Sequence, residues 1–377
     1  MGNLLARLYN YYYYGSTNSQ SNAGSNNGTS LSHEEGSEAK SSTDESRSSN
    51  TSSRTSTDSD DCGGTSIRKG LRSDHHHRQP VVLKNPTGRN IHEKYSWIPH
   101  RRELGRGGWG VVRVCIDRDS GEELACKSIS KRKMLQNDEN VECVRREVAI
   151  LYHLKNCPNV VTIKDTFEDD HQVHIVMELL KGKLLHDAMA EREELDLTYT
   201  EEEASNLITA IVQVIKTLHN NGVMHRDIKP DNFMFQSADE TSTLKAIDFG
   251  LSHFYKPGEP CKLKTFSDYY VAPEVLRGGT HGPKVDIWGA GVLLFVLLSF
   301  KYPFWGGNRD GMLRAVARAE VCFNGHPWRN ISKNAKDLIK KMLHPDPRER
   351  LTAEQVLNDP WLKTSRKHYH MASDADN

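Results

Sequence analysis

The chain carries no net charge: 50 Lys and Arg side chains balance 50 Asp and Glu across 377 residues. That balance removes any whole-chain electrostatic reason to expect nucleic acid or an anionic membrane as a main partner. Paired cysteines are missing as well. Seven occur, at Cys62, Cys115, Cys126, Cys143, Cys157, Cys261 and Cys322, an odd number at irregular spacing without a C-x-x-C pair. This argues against a disulfide framework or a zinc site and fits the reduced thiols of an intracellular protein. The sequence does not open on the basic-then-apolar run of a secretory signal. Nor does it hold a long hydrophobic run: the most apolar stretch, 287–300, is too short to span a bilayer and contains Gly289 and Gly291.

Apolar side chains are scarcest at the start. Between Gly15 and Thr65 the only large one is Leu31, and Ser, Thr, Asn and Gly dominate. Such a segment cannot bury enough surface to offset its ordering entropy, so a disordered tail is expected over residues 1–90. His75-His76-His77 reads as a solvated imidazole run more than as a metal site. The run starting at Asp58 has Lys69 where a calcium loop needs its bidentate Glu. Domain-size statistics put two or three compact units in the whole length.

Alternating apolar residues around Val111, Val112 and Val114, and again over 124–129, predict two strands joined by the turn Asp119-Ser120-Gly121. Val141, Val144, Val148 and Leu151 recur at helical spacing within 140–154, and 173–179 reads as a buried strand. A small β-rich lobe with one helix is therefore expected over about 91–180. Helical patterns fill 181–363. Thr200 with Glu203, and Thr352 with Gln355, form capping boxes, and Ser332 starts a helix through Leu343. The stretch 287–300 is apolar on every side, the mark of a helix at the centre of a large core. The fold class is α+β with two lobes, strands first and helices after, and a short tail at 364–377.

Four patches carry chemistry. Gly105-Arg106-Gly107-Gly108-Trp109-Gly110-Val111-Val112 fits G-x-G-x-x-G-x-V, in which missing β-carbons let backbone amides approach phosphates. Its strand–turn–strand context argues against a dinucleotide-binding turn, which opens a helix. Lys127 lies inside the apolar run Ala125-Cys126-Lys127-Ser128-Ile129, where an unpaired ammonium is costly to bury. Either it sits on an exposed edge, or Glu147 on the following helix pairs with it and holds it toward the α- and β-phosphates of a nucleotide. In His225-Arg226-Asp227-Ile228-Lys229-Pro230-Asp231-Asn232 the spacing sets a carboxylate, Asp227, for an acceptor hydroxyl beside the Asn232 amide oxygen for Mg²⁺. Asp248-Phe249-Gly250 follows a short strand at 244–247 and precedes Ala272-Pro273-Glu274. There Asp248 is a second Mg²⁺ ligand, and Phe249 is expected to pack against the Glu147 helix.

This motif set resembles that of the protein kinases over about 95–363. More closely, it resembles plant calcium-dependent protein kinases and their calcium-independent relatives. The stretches that carry the likeness are GEELACKSISKRK (121–133), VRREVAI (144–150), LKAIDFGLSHFYK (244–256) and RLTAEQVL (350–357). The resemblance implies a two-lobed kinase domain over 91–363 that moves the γ-phosphoryl group of ATP, with Mg²⁺, onto Ser or Thr hydroxyls of protein substrates in signalling. It implies Asp227, Lys229, Lys127 and Glu147 as catalytic residues and Asn232 and Asp248 as metal ligands. The nucleotide site it implies holds Leu104, Gly105, Gly107, Gly108, Trp109, Gly110, Val112, Ala125 and Lys127, with Met177 as gatekeeper and Glu178 and Leu179 as the hinge. By the same resemblance His225 and Phe249 belong to a hydrophobic spine, Asp286 braces the catalytic loop, and Glu274 pairs with Arg350. Lys229 looks like the serine/threonine type, and Ser267 sits where that type keeps a hydroxyl touching the catalytic aspartate and lysine.

The chain departs from the family in places. No D-x-D-x-D-G loop with Glu at its twelfth position occurs in this sequence, so no direct calcium binding is expected. The family's Gly-Gly-Glu-Leu becomes Gly182-Lys183-Leu184, one residue shorter, so Lys183 is expected to repel an arginine upstream of the phosphoacceptor while Asp231 keeps one acidic contact. In Thr265-Phe266-Ser267-Asp268-Tyr269-Tyr270, Phe266 replaces a glycine and Asp268 a proline. The usual phosphorylation position falls on Leu263, which leaves Arg226 without its phosphate partner and Thr265 and Ser252 as substitutes. Met1-Gly2 permits N-myristoylation, but Ala6 stands where Ser or Thr is favoured, so membrane contact is expected to be weak. A cytoplasmic or nuclear monomer without a nucleic-acid partner is expected, whose activity survives removal of residues 1–85. The alternative is a catalytically silent scaffold of the same fold; Lys127, Glu147, Asp227, Asn232 and Asp248 are all present, which favours the enzyme.

Overall fold

Alternation builds the first lobe. The structure, a computed structural model, describes residues 81–98, 103–106, 110–256, 261 and 266–364. The histidine run, Gly2, the loop tip Gly107, Gly108 and Trp109, and Leu263 and Thr265 lie outside the described residues. Strands β1 (Tyr95–Trp97), β2 (Gly105–Arg106), β3 (Gly110–Asp117), β4 (Glu123–Ser130), β5 (Ile163–Glu168) and β6 (Gln172–Glu178) form one antiparallel sheet, ordered β1-β3-β4-β6-β5 with β2 on β3. Its register sets Val112 opposite Lys127 and Ala125 opposite Met177. Directly opposed residues share a face, so these four line one side of the sheet. The intervening residues Cys115, Leu124, Cys126 and Val176 pack on the other side with Ile91, Tyr95 and Phe167.

Three helices complete this lobe: α1 (Ile91–Lys94), α2 (Lys131–Met134) and α3 (Asp138–His153). The Asn137 side chain caps α3 by accepting from the Glu139 amide, and the helix buries Val141, Val144, Val148 and Leu151, the stripe legible in the sequence, together with Glu147. One boundary needs correction. Residues 81–90, expected in the tail on composition, hold two core side chains: Val82 is 1% exposed and Leu83 is 4% exposed, although Val81 is exposed. Three apolar residues in a polar stretch fall below what composition can detect. Removing residues 1–85 would therefore take away packed chain.

The second lobe holds α4 (Leu185–Glu194), α5 (Glu201–Asn220), β7 (Val223–Met224), β8 (Phe233–Phe235), β9 (Leu244–Ala246), β10 (His253–Phe254), α6 (Pro273–Leu276), α7 (Lys284–Ser299), α8 (Arg309–Arg318), α9 (Lys333–Met342), α10 (Ala353–Leu357) and α11 (Pro360–Thr364). Both capping boxes form, at the starts of α5 and α10, and Ser332 caps α9. Helix α7 is buried from Val285 to its end, and α5 packs on it. Two short antiparallel pairs, β8 with β9 and β10 with β7, carry the loops that follow. Among the described residues no helix is long and apolar enough to cross a membrane.

Candidate active site

Lys127 projects from the shared face of β4 toward two carboxylates. Its Nζ lies 2.6 Å from Glu147 Oε1 and 3.4 Å from Asp248 Oδ1. Burial works against the ammonium, but the negative charges of Asp248 and Glu147 outweigh it and hold the lysine pKa above its ordinary value. Lys127 in turn holds the Asp248 carboxyl below the usual carboxylate range. The sheet therefore keeps an ion pair intact where an isolated lysine would be costly. Gly110 is fixed by packing: a β-carbon there would stand 2.3 Å from the Ser128 carbonyl oxygen on β4. Val112, Ala125 and Met177 surround Lys127 on the same face, and Leu104, half exposed, donates its N–H to Val112 at 2.9 Å. The Glu178 Oε1 accepts from Lys245 Nζ at 2.7 Å and from the Thr162 amide at 2.7 Å. Leu179 follows it directly after β6.

The loop between β7 and β8 is held from beneath. Asp286, at the start of α7 and 1% exposed, accepts from the His225 amide at 2.9 Å, the Arg226 amide at 2.6 Å and His219 Nε2 at 2.8 Å. Burial alone would raise the Asp286 pKa; the His219 bond and the surrounding positive charge hold it low. Arg226 is thereby kept at φ 67°, a left-handed conformation that costs a non-glycine residue energy and clusters at functional sites. Burial pushes the His225 pKa down, and its ring lies tilted 5.2 Å from the Phe249 ring and stacked 6.3 Å from the Phe233 ring. Phe249 is 1% exposed, within the main core cluster that includes α3.

Four side chains converge beyond that turn. Asp227 Oδ1 accepts from Ser267 Oγ at 2.6 Å, and its Oδ2 accepts from Asn232 Nδ2 at 2.9 Å and lies 3.0 Å from Lys229 Nζ. Lys229 also donates to Ser267 Oγ at 3.0 Å. Each carboxylate oxygen has two lone pairs, so Asp227 retains acceptor capacity for an incoming hydroxyl. Asn232 spends its Nδ2 on Asp227, which turns its Oδ1 free as a metal donor. Among the described residues Asp248 is engaged through Oδ1, by Lys127 and the Gly250 amide. Among the described residues no three His, Cys, Asp or Glu side chains cluster as a metal cage. Two oxygen donors fit Mg²⁺, which keeps its waters and takes one or two protein ligands together with substrate phosphates.

The departures from the family pattern resolve into contacts. Asp268 forms a two-pronged ion pair with Arg309, at 2.6 and 2.7 Å, which organises the 268–270 turn in place of a proline. Phe266 packs against the core. Arg226 donates to the Leu251 carbonyl at 2.7 Å and to Cys261 Sγ at 3.3 Å. Ser252, a proposed substitute phosphorylation site, is 1% exposed and donates to the His225 carbonyl, so it is closed to a modifying enzyme in this conformation. Lys183 does not stand as a bare positive charge: its Nζ is 2.5 Å from Glu191 and 3.8 Å from Glu240. Sequence reasoning did not find Arg309, Cys261 or Glu191 as partners, because each contact joins separate elements and leaves no local pattern.

A lysine held between the carboxylates of Glu147 and Asp248, over a loop carrying aspartate, lysine and asparagine, fits the arrangement of an ATP-dependent phosphotransferase. The protein kinase domain family model matches residues 99–362, and the chain belongs to the protein kinase family. It is 49% identical over 286 residues to calcium-dependent protein kinase 14 of Arabidopsis thaliana, covering 76% of this chain and 52% of the relative. It is 49% identical over 287 residues to calcium-dependent protein kinase 20 of Oryza sativa subsp. japonica, covering 76% and 50%. Calcium-dependent protein kinase 17 of Arabidopsis thaliana is 50% identical over 262 residues, covering 70% and 48%. The chain thus spans about half the length of the curated relatives it matches.

Proposed function

We propose that this protein is a serine/threonine kinase that phosphorylates other proteins in signalling, without calcium binding by the residues of this chain. The observation that carries the proposal is the hydrogen-bonded set of Asp227, Lys229, Asn232 and Ser267. Asp227 orients the acceptor hydroxyl and takes its proton. Lys229, 3.0 Å away, places positive charge where the transferred phosphoryl group accumulates negative charge. Lys127, positioned by Glu147, grips the nucleotide phosphates. Asp248 and Asn232 would hold Mg²⁺, which when bound would neutralise charge on the phosphate oxygens. Phosphorylation of a peptide array with Mg²⁺-ATP, with and without a calcium chelator, tests the proposal. Labelling of Ser and Thr peptides that the chelator leaves unchanged is expected; chelator-sensitive labelling restored by calcium, and not by added magnesium, contradicts it.

Substrate preference has its own test. Lys183 lies in acidic surroundings, with Glu191 and Glu240 beside it and Asp187 and Asp231 nearby, where burial and the neighbouring carboxylates push the Asp187 pKa up. Its ammonium offsets charges that could otherwise attract a basic residue of a substrate. Lys183→Glu is expected to raise the kcat/KM ratio between peptides with Arg and Ala three residues before the acceptor by roughly two- to fivefold, the scale of an exposed ion pair. An unchanged ratio would place Lys183 away from the substrate path.

A further inference from the structure

Helix α3 sends three successive side chains to three parts of the molecule. At about 100° per residue, Arg145, Arg146 and Glu147 diverge. Glu147 meets Lys127 in the site. Arg146 Nε donates to the Ser252 carbonyl, just past Asp248-Phe249-Gly250, at 2.9 Å. Arg145 donates to the Val82 carbonyl at 2.5 Å and the Val81 carbonyl at 3.3 Å. The first two anchors belong to the segment matched by the kinase model; the third lies ahead of it, before residue 99.

That third anchor is built in, not merely adjacent. Glu168, at the end of β5 and 4% exposed, accepts the Val82 amide at 2.7 Å and the Leu83 amide at 2.6 Å. The buried Lys131 ammonium, 2.6 Å from Glu168, balances its charge. A buried carboxylate needs such partners, and here two of the three are backbone amides of the leading segment. The Val82 and Leu83 side chains join the core cluster that contains Val141, Val144 and Val148 of α3. Further along, the Thr87 amide donates to Thr166 at 2.6 Å and the Glu168 amide to Gly88 at 3.1 Å, so the segment also covers the open edge at β5.

We propose that residues 81–83 form a strap that holds α3 where Glu147 meets Lys127, making Arg145, Val82 and Leu83 positioning residues for phosphoryl transfer; this rests on the kinase function proposed above. A helix that carries an active-site carboxylate has positions closer to and farther from its lysine, and each anchor that exists only in the closer position shifts the population toward it. Arg145 lies on the surface side of α3 and touches neither the nucleotide face nor the catalytic loop, so it acts through Glu147.

The test uses the full chain. Arg145→Ala is expected to lower kcat by about tenfold, the equivalent of about 1.4 kcal/mol in the helix equilibrium, with peptide KM little changed and Arg145→Lys recovering part of the loss. Val82→Ser/Leu83→Ser is expected to do the same, and should that double variant not fold, Arg145→Ala carries the test alone. In a Glu147→Gln background Arg145→Ala is expected to have no further effect on kcat, since the strap then has nothing to position. Amide hydrogen exchange over α3 is expected to rise in Arg145→Ala. A folded Arg145→Ala variant with unchanged kcat, or one that loses the same factor in both backgrounds, overturns the strap while leaving the kinase proposal standing. A parent protein without transfer to any peptide overturns the kinase proposal; exchange over α3 then still decides whether the strap holds the helix, and unchanged exchange rejects it.

Discussion

Asp227→Asn is expected to lower kcat by roughly 10²–10⁴-fold, the usual contribution of a positioned general base, while the protein stays folded and binds ATP with little change. The substitution keeps the shape of the side chain, so contacts to its remaining oxygen, such as those from Lys229 and Asn232, can persist. What it removes is one oxygen acceptor and the negative charge that offsets Lys229. The new amide would present N–H groups to Ser267 or the substrate hydroxyl, each of which already has a proton to donate. The Lys127–Glu147 pair and the Val112, Ala125 and Met177 face are untouched, so nucleotide binding is spared. Steady-state kinetics with ATP titration, beside a thermal melt, separates the two parameters. A kcat within tenfold of the parent would remove Asp227 from the chemistry.

The largest effect on stability is expected at Arg350. This guanidinium, fully buried, donates to both oxygens of Glu274 at 2.7 and 2.9 Å, to the Lys284 carbonyl at 2.9 Å and to the His344 carbonyl at 3.0 Å, and it lies 5.0 Å from the Trp288 ring centre. Arg350→Ala would leave a carboxylate and two carbonyls without their partner. Breaking one side of a buried ion pair costs about 3–5 kcal/mol, which corresponds to a fall in Tm of roughly 6–20 °C for a domain of this size. The double replacement Glu274→Gln/Arg350→Met removes both charges and is expected to cost less than Arg350→Ala alone. Calorimetry on the three proteins checks this; a loss below about 1 kcal/mol for Arg350→Ala would mean that Glu274 finds water or another cation.

Much of the site was legible because its groups sit on elements with a readable period. Alternation in β4 placed Lys127 on a face, and helical spacing in α3 placed Glu147 beside the buried stripe. The catalytic loop kept its residues within one short run. What escaped was held by tertiary contact. The Val82 amide meets Glu168 across 86 residues, and no periodicity marks a bond between a backbone amide and a distant carboxylate. The Lys183 partners Glu191 and Glu240 come from a helix and a loop that the local sequence does not join. For the same reason composition extends the tail to residue 90 although Val82 and Leu83 are buried. Asp286 was placed by resemblance alone, since its bond to Arg226 spans 60 residues.

The most direct test of the central claim is transfer of label from γ-labelled ATP, by the purified full chain, to three matched peptides that differ only in having Ser, Thr or Tyr as the acceptor. Mg²⁺-dependent label is expected on the Ser and Thr peptides, stable as phosphoserine and phosphothreonine after acid hydrolysis, and none on the Tyr peptide. Nucleotide binding without transfer, or label on tyrosine, would contradict it.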